Sequence, residues 1–116
     1  MSWRWRAVVR LDAIEPDRAV PVQFEGRELL VFRIGEGVSV VSALCPHQGS
    51  RLSDGLIAGC LAVCPSHGWA FDVRTGRCRG VRSAEITVFP ARIIDGVVHL
   101  RLSTSAALRD WLRRRR

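Results

Sequence analysis

Two short segments of the sequence combine cysteine with histidine, and their side chains are the best suited to chemistry. Cys45-Pro-His47 is a Cys-x-His pair and Cys64-Pro-Ser-His67 is a Cys-x-x-His pair, with sixteen residues between them. Each pair follows an apolar run that predicts a strand, so each is expected in a loop. Thiolate and imidazole ligands suit zinc, or an iron–sulfur cluster in which two histidines replace two cysteines on one iron. The spacing alone leaves both open.

The composition limits what else the chain can hold. At 116 residues it is expected to form one domain, too short for a redox module together with a catalytic domain. No apolar run reaches the length of about 20 residues that a membrane-spanning helix needs. The N-terminus lacks the features of a secretory signal, so the sequence favours a cytoplasmic protein without membrane contact. In a reducing compartment, the four cysteines favour metal binding over disulfides.

The formal net charge is +7, and every basic residue is arginine. Four of these arginines lie at 113–116, so the rest of the chain is only mildly basic. This balance permits an acidic protein surface or nucleic acid as a partner and selects neither by itself. Nucleic acid is the weaker expectation.

Short runs of Val, Ile, Leu and Phe, interrupted by Gly, Asp and Pro, predict an all-β domain, a small antiparallel sandwich or barrel without internal repeats. Hairpin turns are expected at Glu25-Gly26, Gly35-Glu36-Gly37 and Asp95-Gly96, because glycine tolerates positive φ. The predicted strands are 5–10, 20–24, 28–34, 38–43, 62–63, 69–73, 87–94 and 97–102.

The character of the sequence changes after Leu102. A Ser-Thr-Ser segment offers a helix N-cap, and Leu108, Trp111 and Leu112 would share one face of the helix that follows. We therefore expect a domain over residues 1–102 and a basic amphipathic helix or tail over 103–116. The helix is expected to pack on its own domain, with docking to a partner protein or nucleic acid as alternatives.

The residues around the Cys–His pairs resemble the Rieske family. Residues 45–55 (CPHQGSRLSDG) are similar to its C-x-H-x-G-x-x-L-x-x-G pattern, and residues 64–76 (CPSHGWAFDVRTG) to C-P-x-H-G-x-x-F-D-x-x-T-G. The resemblance extends from about residue 5 to residue 102, which is nearly the whole chain. It implies the Rieske fold, in which two loops form a cluster-binding subdomain, and a [2Fe-2S] cluster as cofactor.

The resemblance also implies which residues hold the cluster. Cys45 and Cys64 would bind one iron, while His47 and His67 would bind the other, which receives the electron. The exposed edges of the two histidines would face the redox partner. Arg82 lies where many members have a Gly-Pro-Ala segment, and it is either solvated or a further docking residue.

Several residues would form the surroundings of the cluster. Gly49 and Gly68 would either bring backbone amides close to the sulfur atoms or simply form turns. High-potential Rieske proteins have a disulfide at the positions of Ser50 and Ser66. They also have hydroxyl donors at the positions of Trp69 and Phe71. Because this chain has neither, the resemblance implies a reduction potential near the low end of the Rieske range, about −150 mV.

The resemblance implies a one-electron carrier that is not itself an enzyme. Its expected donor is a flavin-dependent reductase, and its expected acceptor is a terminal oxygenase. One alternative is the Rieske small subunit, or a detached redox domain, of a multi-subunit oxygenase or nitrite reductase. A weaker alternative is a cluster-based sensor with a basic tail.

The remaining candidates have structural interpretations. Cys60 and Cys78 are predicted to be buried free thiols, with a disulfide or a redox-sensing role as alternatives. His99 is predicted to be a surface residue, because two histidines already complete the site. Core or edge packing is predicted for the aromatic residues Trp3, Trp5 and Phe89.

Overall fold

The computed structural model describes residues 5–46, 49–66 and 68–101, with Arg82 described by its backbone. These residues form short strands in antiparallel pairs and two 3-10 helices, Leu11–Ala13 and Leu52–Asp54. The strands are β1 (Arg6–Arg10), β2 (Ala19–Phe24), β3 (Arg27–Ile34), β4 (Gly37–Ser42), β5 (Leu56–Ala58), β6 (Leu61–Val63), β7 (Ala70–Asp72), β8 (Arg77–Cys78), β9 (Val81–Glu85), β10 (Val88–Phe89), β11 (Ala91–Ile94) and β12 (Val97–Leu100).

The described strands make three sheets. The central sheet has the order β10-β4-β3-β2, the terminal sheet β1-β12-β11, and the loop sheet β5-β6-β7-β8-β9. The expected all-β antiparallel architecture is therefore confirmed. None of the helices in this part of the chain is long and apolar enough to cross a bilayer.

Strand β3 explains how the three sheets are held together. Side chains alternate across a strand, so Leu29 and Val31 face one side of the central sheet while Leu30 and Phe32 face the other. All four are fully buried, because each face of the central sheet is covered. A strand buried on both faces is expected to be continuously apolar, as Leu29–Phe32 is.

Two hydrophobic cores result. The base core lies between the central and terminal sheets and includes Leu29, Val31, Val40, Phe89, Val98 and Leu100. The loop core lies between the central and loop sheets and includes Leu30, Phe32, Val41, Leu52, Ala62, Phe71 and Val73, together with Cys45 and Cys64. The loop core thus extends directly to the two cysteines of the Cys–His pairs.

The predicted hairpins are present where the sequence places them. Glu25 and Gly26 both have positive φ, 51° and 81°, as do Asp95 and Gly96, 51° and 75°. Two successive positive φ angles are typical of the tight turns that match the twist of a hairpin. The turn between β3 and β4 includes Gly35, with φ of 60°.

The single strand predicted over 87–94 is wrong. Pro90 divides it into β10, which pairs with β4 in the central sheet, and β11, which pairs with β12 in the terminal sheet. Proline has no N–H for a ladder and fixes its own φ, so it suits the point where the chain changes sheets.

Strands β5, β8 and β9 were not predicted. Residues 77–85 read RCRGVRSAE, which has neither a β-rich run nor apolar alternation. Pairing with β7 and with each other, rather than local propensity, makes β8 and β9 strands. The helix predicted within 103–116, with Leu108, Trp111 and Leu112, lies outside the described residues.

The predicted packing of two aromatic residues is confirmed. Phe89 is buried in the base core. Trp5 is half-buried at the edge of the terminal sheet, where the guanidinium carbons of Arg92 and Arg101 lie 4.3 and 5.1 Å from its ring centre. Trp3 lies outside the described residues.

Candidate metal centre

The first Cys–His loop follows the central strand β4. Its base is closed by the Leu52 amide, which donates to the Ala43 carbonyl (2.8 Å). Nearer the tip, the Cys45 amide donates to the Ser50 carbonyl (2.8 Å), and the Gly49 amide donates to the Cys45 carbonyl (2.7 Å). Cys45 is therefore held at a fixed point on a narrow hairpin.

The second loop, between β6 and β7, repeats this hydrogen bonding. The Cys64 amide donates to the Trp69 carbonyl (2.8 Å), and the Gly68 amide donates to the Cys64 carbonyl (3.0 Å). Gly49 and Gly68 have nearly the same φ, +71° and +72°, in a region that side-chain-bearing residues rarely adopt. These glycines were expected either to bring amides close to the cluster sulfurs or to form turns. The amide hydrogen bonds observed here are those of a turn.

Both loops share the local sequence C-P-x-x-G, which is CPHQG in the first and CPSHG in the second. No internal repeat was predicted, so this five-residue repeat was missed. Its signal is visible in the sequence, because a proline after each cysteine and a glycine four residues on define equivalent turns. The repeat places Cys45 and Cys64 at equivalent positions of two hairpins.

The two cysteines are buried side chains of one core. Cys45 and Cys64 are each 1% exposed and both belong to the loop core, although Pro46 and Pro65, which follow them, are exposed. Neither cysteine is in a disulfide. Each thiol therefore lies beneath the exposed tip of its loop.

A hydrogen bond joins the tips of the two loops. The hydroxyls of Ser50 and Ser66 are in direct contact, at the positions where the Rieske resemblance places the disulfide of high-potential members. The two loops thus face each other across the space above Cys45 and Cys64. Ser50 and Ser66 therefore form a polar link between the two loops.

The exit of the first loop packs against the second loop without room for a side chain. A Cβ atom on Gly55 would overlap the Val63 carbonyl oxygen and would lie 3.1 Å from the Pro65 Cδ. The last glycine of the first motif therefore permits close approach of the two loops.

An ion pair anchors the first loop to the central sheet. The Arg51 guanidinium donates to both carboxylate oxygens of Glu28, with distances of 3.1 and 2.7 Å. Glu28 is on β3, and Arg51 also forms an isolated bridge with Leu44. This ion pair was not predicted, because nothing local to either residue indicates a partner 23 positions away.

The F-D-x-x-T-G part of the second motif forms the turn between β7 and β8. The Asp72 carboxylate accepts hydrogen bonds from the Arg74 amide (2.9 Å) and from the Arg74 guanidinium (3.2 and 3.0 Å). These bonds lower the pKa of the Asp72 carboxyl below its ordinary value of 3.8. Phe71 is fully buried in the loop core, so these motif residues support the loop from below.

The histidines of both pairs lie outside the described residues. No group of three or more potential metal ligands occurs within residues 5–46, 49–66 and 68–101, a range that does not include His47 and His67. The backbone of Arg82 is in β9. Trp69 packs against the loop core from its rim.

The cysteines outside the motif are not paired with each other. Cys60 and Cys78 are both free thiols. Cys78 is buried, as predicted, and burial raises the pKa of its thiol. Cys60 is only half-buried, at the rim of the loop core.

His99 is half-buried in β12, where its Nδ1 lies 2.9 Å from the Val97 carbonyl oxygen.

The donor set fits an iron–sulfur cluster with mixed ligands. Two buried cysteines lie on equivalent hairpins that face each other, and a histidine follows each cysteine by two or three positions. Two thiolates and two imidazoles are the ligands of a Rieske cluster.

Comparison with known proteins decides the family. The sequence pattern of the Rieske [2Fe-2S] domain matches residues 4–90. The chain belongs to the Rieske family. Its cofactor is accordingly a [2Fe-2S] cluster, and its role is that of a Rieske electron carrier.

The relatives of this Rieske chain include ferredoxins of similar length. It is 31% identical over 98 residues to the anthranilate 1,2-dioxygenase ferredoxin subunit of Burkholderia cepacia, covering 83% of this chain and 90% of that protein. It is 33% identical over 105 residues to the ferredoxin component of the naphthalene 1,2-dioxygenase system of Pseudomonas aeruginosa, covering 89% of this chain and all of that protein.

Solved structures show the same Rieske fold. The Sphingomonas yanoikuyae B1 ferredoxin superposes with a TM-score of 0.77 at 27% identity, covering 86% of this chain and 100% of that chain. A chain from the complex of reduced oxygenase and oxidised ferredoxin in carbazole 1,9a-dioxygenase superposes with a TM-score of 0.77 at 28% identity, covering 85% of this chain and 94% of that chain.

Proposed function

We propose that Cys45 and Cys64 bind one iron of the cluster and that His47 and His67 bind the other. The observation that supports this assignment most strongly is the equivalence of the two hairpins. Each holds its cysteine in the loop core by the same two backbone hydrogen bonds, and Ser50 and Ser66 hold the hairpin tips together. The domain that carries this site would extend over residues 1–102, with 103–116 as an appended basic segment.

We propose that the chain is a ferredoxin that passes single electrons from a flavin-dependent reductase to a terminal oxygenase. A [2Fe-2S] cluster with these ligands stores one electron. The relatives that match nearly the whole chain are ferredoxin components of dioxygenase systems, which supports this role. The chain itself would transform no substrate, because four protein ligands leave no open position for one.

The chain's own residues would hold the cluster and set its environment. The loop core shields the two cysteines from water, while the exposed loop tips would carry the histidine edges toward a partner. Trp69 and Phe71 have no hydroxyl to stabilise the reduced form, which supports a potential near −150 mV, the low end of the range of roughly −150 to +300 mV. Cys60 and Cys78 are free thiols, which supports a cytoplasmic setting.

The cysteines provide a matched test of the site. Cys45→Ser and Cys64→Ser are each expected to abolish iron binding, whereas Cys60→Ser is expected to retain two irons and two sulfides per chain. Iron and acid-labile sulfide are measured after expression and purification under identical conditions. A Cys45→Ser protein with full iron content, or a Cys60→Ser protein without iron, would contradict the assignment.

The electron-carrier role is tested by substitution in a reconstituted system. The chain replaces the ferredoxin component of a naphthalene 1,2-dioxygenase system, and product formation is measured with and without it. Product formation that depends on this chain is expected, with no product from the Cys45→Ser variant. A large subunit that co-purifies from the native host in fixed stoichiometry would instead support a small subunit of a multi-subunit enzyme.

A further inference from the structure

The loop sheet has one face in the core and one face outside it. Strand register places Ile57, Ala62, Phe71 and Cys78 in one row across β5, β6, β7 and β8. All four belong to the loop core or pack against it. Because side chains alternate along a strand, the neighbouring rows must face away from that core.

The row nearest to the cluster loops crosses the same strands. Leu56 is opposite Val63, and Val63 is opposite Ala70. The Arg79 amide donates to the Ala70 carbonyl (2.8 Å), which continues the row to Arg79. Directly opposed residues of an antiparallel pair point to the same face, so these four side chains share the outward face of the loop sheet.

We call the row Leu56, Val63, Ala70 and Arg79 the outer row. None of its members packs against either core. Leu56 is 66% exposed and is the one large hydrophobic residue, among those the structure describes, that lies mostly in solvent. Val63 and Ala70 are half-buried. The outer row is therefore an apolar strip that ends in Arg79, on a sheet face that neither of the described cores covers.

The outer row adjoins the cluster loops. Val63 immediately precedes Cys64. Ala70 immediately follows Trp69, whose carbonyl accepts a hydrogen bond from the Cys64 amide. Gly55, which precedes Leu56, lies against Pro65 of the second loop. A partner that covers the outer row would thus lie beside the second Cys–His loop.

The net charge around this face is positive, although Glu85 is opposite Arg77 in the strand register and Asp72 lies near enough to Arg79 for the arginine to lower its pKa. Arg77 and Arg79 are exposed, and no carboxylate within the described residues lies within salt-bridge distance of either guanidinium. Residues 44–86 contain five arginines and three acidic residues. Residues 5–43 and 87–101 together contain seven arginines and seven acidic residues. The positive excess of residues 5–101 therefore lies in the half of the chain that carries the loops.

We propose that the outer row, with Arg79 at its end and Arg77 beside it, docks a redox partner protein whose contact surface is apolar at its centre and carboxylate-rich at its rim. This inference rests on the proposed electron-carrier function. The chain's own segment 102–116 carries five arginines and one aspartate, so it would bring like charges to the rim. A second copy, with a net charge of +7, would do the same.

The test uses two electron acceptors of opposite charge. The dithionite-reduced chain is mixed in a stopped-flow instrument with oxidised plastocyanin, an acidic copper protein, or with oxidised cytochrome c, a basic haem protein. Arg79→Glu is expected to slow transfer to plastocyanin about tenfold at low ionic strength and to lose this effect at high ionic strength, because rim charges act on association. Leu56→Ser is expected to slow the same transfer about threefold at either ionic strength.

Arg18→Glu is the matched control, because Arg18 is exposed, has no ion pair within the described residues and lies in the half with balanced charge. It should change the rate with plastocyanin less than twofold. Equal effects of Arg79→Glu and Arg18→Glu would overturn the inference, as would faster transfer to cytochrome c than to plastocyanin at low ionic strength. A wild-type dimer that Leu56→Ser dissociates in sedimentation would assign the face to self-association instead.

The outcomes also separate this inference from the proposed function. A wild-type chain that contains two irons and two sulfides, accepts one electron and yet shows none of these rate differences would overturn the docking face alone. A chain without a reducible cluster would overturn the electron-carrier function itself.

Discussion

Gly55 is a point of close approach between the first cluster loop and the chain around the second. Its missing side chain leaves room for the Val63 carbonyl and for Pro65, which directly follows Cys64. The φ of Gly55 is −97°, which any residue adopts. Glycine is therefore required at this position by space and not by backbone conformation.

Gly55→Ala is expected to lower the free energy of unfolding by about 2–3 kcal/mol, because the new Cβ must displace the backbone of Val63, directly before the second loop. Gly37→Ala is the matched control. A Cβ at Gly37 would lie 3.6 Å from the Ile34 carbonyl oxygen, an ordinary contact, so its effect should stay within about 0.5 kcal/mol. Urea unfolding of both variants measures the difference, and equal stabilities would contradict the close-approach role.

The Ser50–Ser66 hydrogen bond is the second contact between the loops. Ser66→Ala removes one hydroxyl, and a hydrogen bond of this kind contributes about 0.5–1.5 kcal/mol. We expect a chelator to remove the cluster about threefold faster than from the wild-type protein. The decay of the visible absorbance of the cluster measures this rate. Ser83→Ala, at an exposed position in β9, should leave the rate unchanged. A Ser66→Ala rate equal to the wild-type rate would show that the link does not hold the loops.

At the scale of elements, the turn between β7 and β8 supports the second loop through a charged contact. The Asp72 carboxylate accepts from both the amide and the guanidinium of Arg74, which lowers its pKa. A carboxyl whose pKa is lower in the folded protein than in the unfolded chain stabilises the folded protein at pH values above the pKa of the unfolded chain. This contribution to stability is lost as the pH falls through the pKa of the folded protein.

Asp72→Asn should therefore lower the Tm at pH 7, and the difference from wild type should shrink as the pH falls below about 4. The Tm difference between the two proteins is measured from pH 7 to pH 3, since all other titrating groups are common to both. A difference that stays constant over this range would contradict the proposed contribution of the ionised carboxylate.

The elements also show what could be predicted from the sequence. The strands of the central sheet are predicted because their apolar runs are long and glycine turns separate them. The cluster motifs are recognised because cysteine, histidine and glycine recur at fixed spacing. Strands β8 and β9 could not be predicted, since their pairing with β7 and with each other depends on neighbours and not on local composition.

The same reasoning explains what was missed within the site. The Arg51–Glu28 ion pair joins residues 23 positions apart, and no local pattern indicates such a contact. The outer row becomes visible only when the register of β5, β6 and β7 is known. By contrast, the repeat C-P-x-x-G was visible in the sequence, and a comparison of the two motifs with each other would have found it.

At the scale of the whole molecule, the two cores divide the chain into two parts, and the folding of one part is expected to depend more on the cofactor than the folding of the other. The base core contains none of the proposed ligands, whereas the loop core includes both Cys45 and Cys64. Ligand side chains that bind a metal centre couple its binding to folding. Removal of the cluster should therefore loosen the loop sheet more than the terminal sheet.

Hydrogen exchange of the protein with and without iron measures this difference. On iron removal, the amides of Phe71 and Cys78 should lose protection by about tenfold or more, while those of Val98 and Leu100 should change little. Reconstitution with iron and sulfide should restore the original rates. Equal loss of protection in both sheets would contradict the division into two cores.

The ligand set is the central claim, and the nitrogen couplings of the reduced cluster test it most directly. Pulsed electron paramagnetic resonance of the dithionite-reduced wild-type protein should show two iron-bound nitrogens, in a protein that contains two irons and two acid-labile sulfides. His47→Ala and His67→Ala should each abolish this two-nitrogen signature. A cluster without nitrogen couplings, or a protein that contains zinc in place of iron, would contradict the account.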